Sequence, residues 1–137
     1  MKKLLVGMGL VITCITASAQ LDTFILDVVV ENLNATGGNI RMEIVKSDGD
    51  VYKALKVHVF ELPTKIKIDS IPKGEYGIRY FYDENKNQKM DSYWVGIPSE
   101  GYGFSNNPYS KFGEPAFEKT LFLMDKDKAL TLETVNW

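Results

Sequence analysis

Glu75-Tyr76-Gly77-Ile78-Arg79-Tyr80-Phe81-Tyr82 is the stretch on which the fold turns. Its alternation puts Tyr76, Ile78, Tyr80 and Tyr82 on one face, the period of two residues that marks a half-buried strand. Residues 64–68 repeat the pattern, with Ile66 and Ile68 set against Lys65 and Lys67. So do residues 39–46, with Ile40, Met42 and Ile44 on one side and Arg41 and Glu43 on the other. Residues 24–33, 56–60, 117–124 and 129–135 are further β-branched or apolar runs. Turn-forming clusters separate them: Thr36-Gly37-Gly38, Ser47-Asp48-Gly49-Asp50, Ile71-Pro72-Lys73-Gly74 and Asp125-Lys126-Asp127. Only residues 50–55 have a helix-compatible composition. The pattern predicts an all-β, antiparallel sandwich of about seven strands. Tyr76 is read in two ways, as a tyrosine corner tied back to upstream backbone or as a plain inward aromatic.

The chain has 137 residues. Residues 1–19 have the three parts of a secretory signal peptide: basic Lys2 and Lys3, an apolar run over 4–17, and the small-x-small site Ala17-Ser18-Ala19. The apolar run is shorter than the roughly 20 residues that span a bilayer. Lipidation at Cys14 is set aside, because Thr13 precedes it where a small residue is usual. Removing 19 of the 137 residues leaves 118, expected to form a single domain, 20–137, with a sizeable core. The only cysteine is lost, so no disulfide can staple the mature chain. Of 16 basic residues 14 remain against 18 acidic ones, a net charge near −4, which argues against nucleic acid as a partner. No second apolar run could span a membrane. The expected location is outside the cytoplasm: periplasmic, cell-surface or secreted.

Asp83-Glu84-Asn85-Lys86-Asn87-Gln88-Lys89-Met90-Asp91 follows the 75–82 run directly. Oxygen-bearing side chains recur at alternate positions, as in loops that wrap a hard cation such as Ca²⁺. Against an EF-hand loop, Asp83, Asn85 and Asn87 take positions 1, 3 and 5, the Lys89 carbonyl position 7 and Asp91 position 9. Gln88 stands where glycine is expected and Trp94 where the bidentate glutamate belongs, so the stretch is not an EF-hand. It reads either as a calcium loop on a β-scaffold or as a polar turn whose Asp and Asn side chains cap their own backbone.

Residues 92–116 show no sustained alternation and form one long loop, rich in Gly, Asn, Pro and aromatics. Loops of that length are uncommon unless they are functional or disordered. The aromatic content argues for order. Tyr93, Trp94, Tyr102 and Tyr109 are the types that contact sugars or peptides, or that pin a loop to the body as a satellite core.

Three strings carry a family resemblance: Pro72-Lys73-Gly74-Glu75-Tyr76 with the 83–91 stretch, Gly96-Ile97-Pro98-Ser99-Glu100-Gly101-Tyr102-Gly103-Phe104-Ser105-Asn106-Asn107, and Phe112-Gly113-Glu114-Pro115-Ala116-Phe117. Together they resemble the DUF2141 family of small exported bacterial proteins, over most of the mature chain. Gln88 replaces the glycine of the family's D-x-N-x-N-G-K-x-D pattern. That theme is also similar to calcium-stabilised repeats of bacterial surface adhesins. The resemblance implies an immunoglobulin-like or prealbumin-like sandwich and a calcium ion, and no activity.

Catalytic sets are hard to assemble. His58 is the single histidine and the mature chain has no cysteine, so Cys-His and His-rich metal sites are excluded, and His58, alone in a short strand, is read as a surface residue rather than the base of a Ser-His-Asp set. A carboxylate pair drawn from Asp83 or Asp91 with Glu100 or Glu114 is a weak hydrolase signal. The expectation is therefore a non-enzymatic, exported domain at the cell envelope with a structural calcium loop. The alternative is a carbohydrate- or peptide-binding module that uses the loop 92–116. The partner would be an envelope protein or a glycan.

Overall fold

A computed structural model describes Gly7 and residues 9–137. The expected leader lies partly outside the described residues; its described part is exposed and belongs to no helix or strand. No helix among the described residues is long and apolar enough to cross a membrane.

Among the described residues, eight strands form two sheets: β1 (Thr23–Glu31), β2 (Asn39–Lys46), β3 (Val51–His58), β4 (Thr64–Pro72), β5 (Gly74–Asp83), β6 (Tyr102–Phe104), β7 (Phe122–Met124) and β8 (Lys128–Glu133). One sheet has the order β4-β1-β8; the other runs β3-β2-β5, with β6 and β7 both on the far edge of β5. The two sheets enclose one core. Leu26, Val28 and Val30 of β1 and Ile66 and Ile68 of β4 meet Ile40, Met42 and Ile44 of β2 and the inward face of β5. That inward face is the tyrosine-rich one, with Tyr76, Ile78, Tyr80 and Tyr82 all buried.

Each buried tyrosine hydroxyl has a partner, as buried polar groups require. Tyr76 donates to the Pro72 carbonyl at 2.9 Å, the tie back to upstream backbone that a tyrosine corner makes. Tyr82 donates to the Ala35 carbonyl at 2.7 Å and accepts the Gly38 N–H at 2.9 Å. Tyr80 pairs with the Thr134 hydroxyl at 2.9 Å, and burial pushes its phenol up to about 12.

The structure corrects the sequence reading in four places. Residues 50–55 are not helical: Val51–His58 pairs along β2, and cross-strand pairing overrides weak local propensity. Eight strands replace about seven, because β6 lies inside the loop 92–116. Within 117–124, a 3-10 turn over Phe117–Thr120 precedes a strand of three residues. The sheets are not wholly antiparallel, since β8 runs parallel to β1 from Leu26↔Lys128 to Glu31↔Glu133.

Ser105-Asn106-Asn107 closes three edges by side-chain hydrogen bonds. β6 pairs with β5 at Arg79–Phe81 and β7 pairs with it at Gly74–Tyr76, leaving a gap between them. Ser105 fills that gap: its hydroxyl accepts the Ile78 N–H at 2.8 Å and donates to the Thr120 carbonyl, and its N–H reaches the Ile78 carbonyl at 3.0 Å. Asn106 donates to the Lys119 and Leu121 carbonyls at 3.1 and 2.8 Å. Asn107 accepts the Glu133 N–H at 2.8 Å and donates to the Thr131 carbonyl at 3.0 Å, so it acts as a one-residue strand on β8. Asn106 and Asn107 hold positive φ, 65° and 47°, a conformation asparagine tolerates better than most residues.

Ser105→Ala orphans the buried N–H of Ile78 and removes a link to Thr120. The expected loss is about 1–3 kcal/mol in urea unfolding, the range for stranding a buried polar group. An exposed control such as Ser99→Ala should change stability by less than about 0.5 kcal/mol. Equal effects of the two substitutions would refute the role given to Ser105.

Candidate functional site: the outer cleft and its acidic loop

The outward face of the five-stranded sheet follows from the strand register. Arg41 of β2 stands opposite Lys56 of β3 and Phe81 of β5, and Phe81 opposite Tyr102 of β6. The next row runs Ala54, Glu43, Arg79, Phe104. Each row thus carries charge over β2 and an aromatic ring over β6. Gly103, between the two rings, faces inward against the Tyr80 ring and hydroxyl, where a Cβ would collide. A glycine there lets β6 lie close to β5 while Tyr102 and Phe104 point out.

Among the described residues, no second sheet covers this face. The segment after β5 arches over it and leaves a cavity of about 850 Å³. Phe81, Tyr102, Phe104, Arg41 and Arg79 are among the sheet residues that line it. Met90, Ile97 and Pro98 come from one arch, Phe112 and Glu114 from the other, and Trp137 from the chain end. Small-molecule sites span about 300–1,000 Å³ and combine apolar walls with a few polar groups. Arg79 is held by Glu43 at 2.6 Å. Arg41 donates through Nε to Asp83 Oδ2 at 3.0 Å.

Asp83 ends β5 and has no exposed surface. Its Oδ1 accepts the Asn87 N–H at 3.0 Å and its Oδ2 the Gln88 N–H at 2.9 Å, besides Arg41. A buried carboxylate is tolerated only with such donors and a countercharge. Asn85 Oδ1 accepts the Asn87 N–H at 3.1 Å and Asn87 Oδ1 the Lys89 N–H at 3.0 Å. The carboxamide nitrogens of Asn85 and Asn87 converge on Asp91, at 2.6 Å and at 2.8 and 2.9 Å. Glu100 clamps the two ends of the loop, accepting the Glu84 N–H at 3.1 Å and the Asp91 N–H at 3.0 Å. Burial pushes the Glu100 carboxyl up, its two backbone donors pull the other way, and the charges of Asp91 and Asp83 add to the rise.

Asp83, Asn85, Asn87 and Asp91 are therefore gathered into one loop, with the Lys89 backbone beside them. Lys86 and Gln88 take positive φ, 60° and 70°. Gln88 thus adopts the left-handed turn that a glycine would adopt more cheaply. The donor set suits calcium in oxygen type and spacing at Asn85, Asn87 and Asp91. It does not suit calcium at Asp83, whose oxygens already face two N–H groups and a guanidinium. Among the described residues, no group of three or more His, Cys, Asp or Glu is arranged to hold a metal ion.

The aromatic residues singled out from the sequence part company. Tyr102 lines the main cavity and a neighbouring one of about 540 Å³, and Tyr109 lines only the second. Tyr93 and Trp94 sit on a turn closed by the Tyr93 N–H to Ile97 carbonyl bond and line neither. Trp94 is 96% exposed. Of the carboxylates considered for hydrolysis, Glu114 lines the cavity while Glu100 does not, because both its oxygens are spent on backbone. His58 is bound to the Asn39 side chain at 3.0 Å and stacked edge-on to Phe60. Sequence reasoning missed Arg41, Arg79, Phe81 and Trp137 as cavity residues. The available signal was Phe81, an aromatic at an outward position of β5 where polar residues are expected.

Residues 28–132 match the family described as "Uncharacterized protein conserved in bacteria (DUF2141)". The chain belongs to the DUF2141 family. No curated protein and no solved structure matches it. The matched span of this DUF2141 protein takes in the second part of β1, β2 to β7 and all but the last residue of β8, together with the acidic loop and the cleft lining except Trp137.

Asp83→Ala leaves the Asn87 and Gln88 N–H groups and Arg41 without their acceptor. The expected loss is about 2–4 kcal/mol, below the upper range for broken buried pairs because Arg41 can still turn to water. Asp91→Ala, at the half-buried far end of the loop, should cost under about 1 kcal/mol. Chemical denaturation of both variants tests this order, and a reversed order would overturn the placing of Asp83 as the loop's anchor.

Proposed function

We propose that this DUF2141 protein is a non-enzymatic binding domain that works outside the cytoplasm, at the cell envelope, and that its ligand lies in the outer cleft. The observation that carries the reading is the uncovered face of the five-stranded sheet, where Phe81, Tyr102 and Phe104 floor a cavity of about 850 Å³. A sheet face that only had to meet water would not carry three rings in two adjacent rows. Flat aromatics beside charged groups suit glycans and peptides, which pair an apolar face with hydrogen-bonding groups. The signal-like residues 1–19 support export, and the tie from Tyr76 to Pro72 favours an immunoglobulin-like or prealbumin-like form of the two-sheet fold.

The two tryptophans provide the test. Trp137 lines the cleft and Trp94 does not, so Trp94→Phe leaves one reporter in the cavity. Glycans and peptides that bind should shift its fluorescence, and Phe81→Ala should weaken them about tenfold, the scale of a buried aromatic contact. Binders that ignore both Trp137 and Phe81 would refute the cleft as the site.

The acidic loop supports a second reading, a structural calcium ion held by Asn85, Asn87 and Asp91 with the Lys89 carbonyl, while Asp83 stays on its two backbone donors and Arg41 and does not ligate. What favours it is that Asn85, Asn87 and Asp91 lie together in one loop, with the Asp91 carboxylate held only by two carboxamide N–H donors that a cation would replace. Thermal unfolding in millimolar calcium and in EDTA decides. A ligand that binds only the folded state at a hundredfold excess over Kd adds about 2.7 kcal/mol, a shift of several degrees. A rise abolished by Asp91→Ala would establish the ion, and coincident curves would mean that hydrogen bonds alone close the loop.

A further inference from the structure

The cleft has a polarity that the proposed function leaves unused. Arg41 spends only its Nε on Asp83, and its terminal nitrogens have no protein acceptor among the described residues. Among the described residues, no buried side-chain nitrogen or oxygen lacks a partner, so those nitrogens meet solvent on the cavity side. Arg79 differs, because Glu43 holds it through Nε at 2.7 Å and through Nη2 at 2.6 Å. Lys111, also on the lining, has no ion-pair partner among the described residues. The lining therefore carries Arg41, Arg79 and Lys111 against Glu43 and Glu114, on a chain whose net charge is −2.

The register fixes where charge and rings stand. Arg41, Phe81 and Tyr102 follow one another across β2, β5 and β6. Neighbouring strands lie about 4.8 Å apart, so the guanidinium stem is about 5 Å from the Phe81 stem and about 10 Å from that of Tyr102. Asp83, fully buried and itself held by backbone, fixes one side of the guanidinium, which leaves the planar fork oriented before any ligand arrives.

Building on the cleft as the binding site, we propose that its ligand is a ring with an apolar face that carries a carboxylate about one to two strand spacings from that face. The carboxylate pairs with the terminal nitrogens of Arg41, and the ring stacks over Phe81 and Tyr102. Two sources offer this chemistry, an acidic sugar of a glycan and an aryl carboxylic acid.

The test measures affinities of two acid–neutral pairs by calorimetry on the whole protein. Trigalacturonate is set against galactotriose, and 3-phenylpropanoate against 3-phenylpropanol. The expected result is that one acid binds at least about tenfold tighter than its neutral counterpart, the scale of a charge-assisted hydrogen bond. The pair that shows it names the source. The preference should shrink as salt rises and vanish in Arg41→Gln, in which Asp83 keeps its two backbone donors. Phe81→Ala, which leaves the Arg41–Asp83 bond intact, should weaken acid and neutral compound alike. Equal affinities within both pairs would overturn the anion preference and leave the cleft as a binding site. A preference that survives Arg41→Gln would overturn the assignment to Arg41. No binding by any of the four compounds would overturn the ligand class, and the cleft reading falls with it only if the Trp137 screen is also silent.

Discussion

The second edge of β5 must be filled, and most of what is distinctive in this protein follows from how it is filled. β2 pairs with β5 along its length, from Asn39↔Asp83 to Lys46↔Tyr76. The other edge would expose a row of backbone donors and acceptors beside the core. Two fragments of three residues each, β6 and β7, share that edge, and Ser105 joins them. A chain that returns to one strand twice in short pieces must travel between visits. The journeys are the arches before β6 and after it, and both cross the outer face of the sheet. The cleft is thus a consequence of edge closure: the same connections that protect β5 wall the cavity.

Asp83 couples this edge to the cleft. It is the last residue of β5, and its carboxylate starts the acidic loop by holding the Asn87 and Gln88 N–H groups. The same group holds Arg41, which lines the cavity. A buried charge is seldom a net source of stability compared with an apolar side chain of the same volume. What it supplies here is geometry. Three donors from two directions leave the carboxylate one orientation, and through it the loop and the guanidinium share one frame. Glu100 repeats the device at the loop's other end, joining the backbone of residues 84 and 91 immediately before the chain turns into β6.

The alternation of 75–82 was enough to recover β5, its buried face and, with 39–46 and 64–68, the two-sheet core. Local pattern sufficed because each of those faces is buried along the whole strand. The outward residues were less legible. Arg41, Arg79 and Phe81 become neighbours only through register, and Arg41 meets Asp83 across 42 positions of sequence. β6 escaped notice because three residues are too few to show a period, and because its middle residue is a glycine. The parallel pairing of β8 with β1 has no sequence signature at all, since the side-chain period is two in either direction. Ser105-Asn106-Asn107 stood out as a string, but its partners at Ile78, Thr120, Lys119 and Thr131 are all distant, so its role could be seen only in the fold.

The acidic loop shows why composition alone left two readings open there. The side chains that can surround a cation are the ones that can hydrogen-bond to their own backbone, because both tasks need short carboxylates and carboxamides at alternate positions. What separates the two is the neighbourhood. Arg41 brings a fixed positive charge to Asp83, which opposes a cation, while Asp91 gathers only amide donors, which a cation could replace. Yet the loop's contribution to the cleft does not depend on which prevails. Either closure ties residues 85–91 between Asp83 and Glu100, and that holds Gln88 and Met90 at the cavity rim. A rim set by the ends of a loop tolerates a change in what fills its middle. The strained Gln88, in the place a glycine would suit better, can therefore weaken a cation site while the cavity wall keeps its shape.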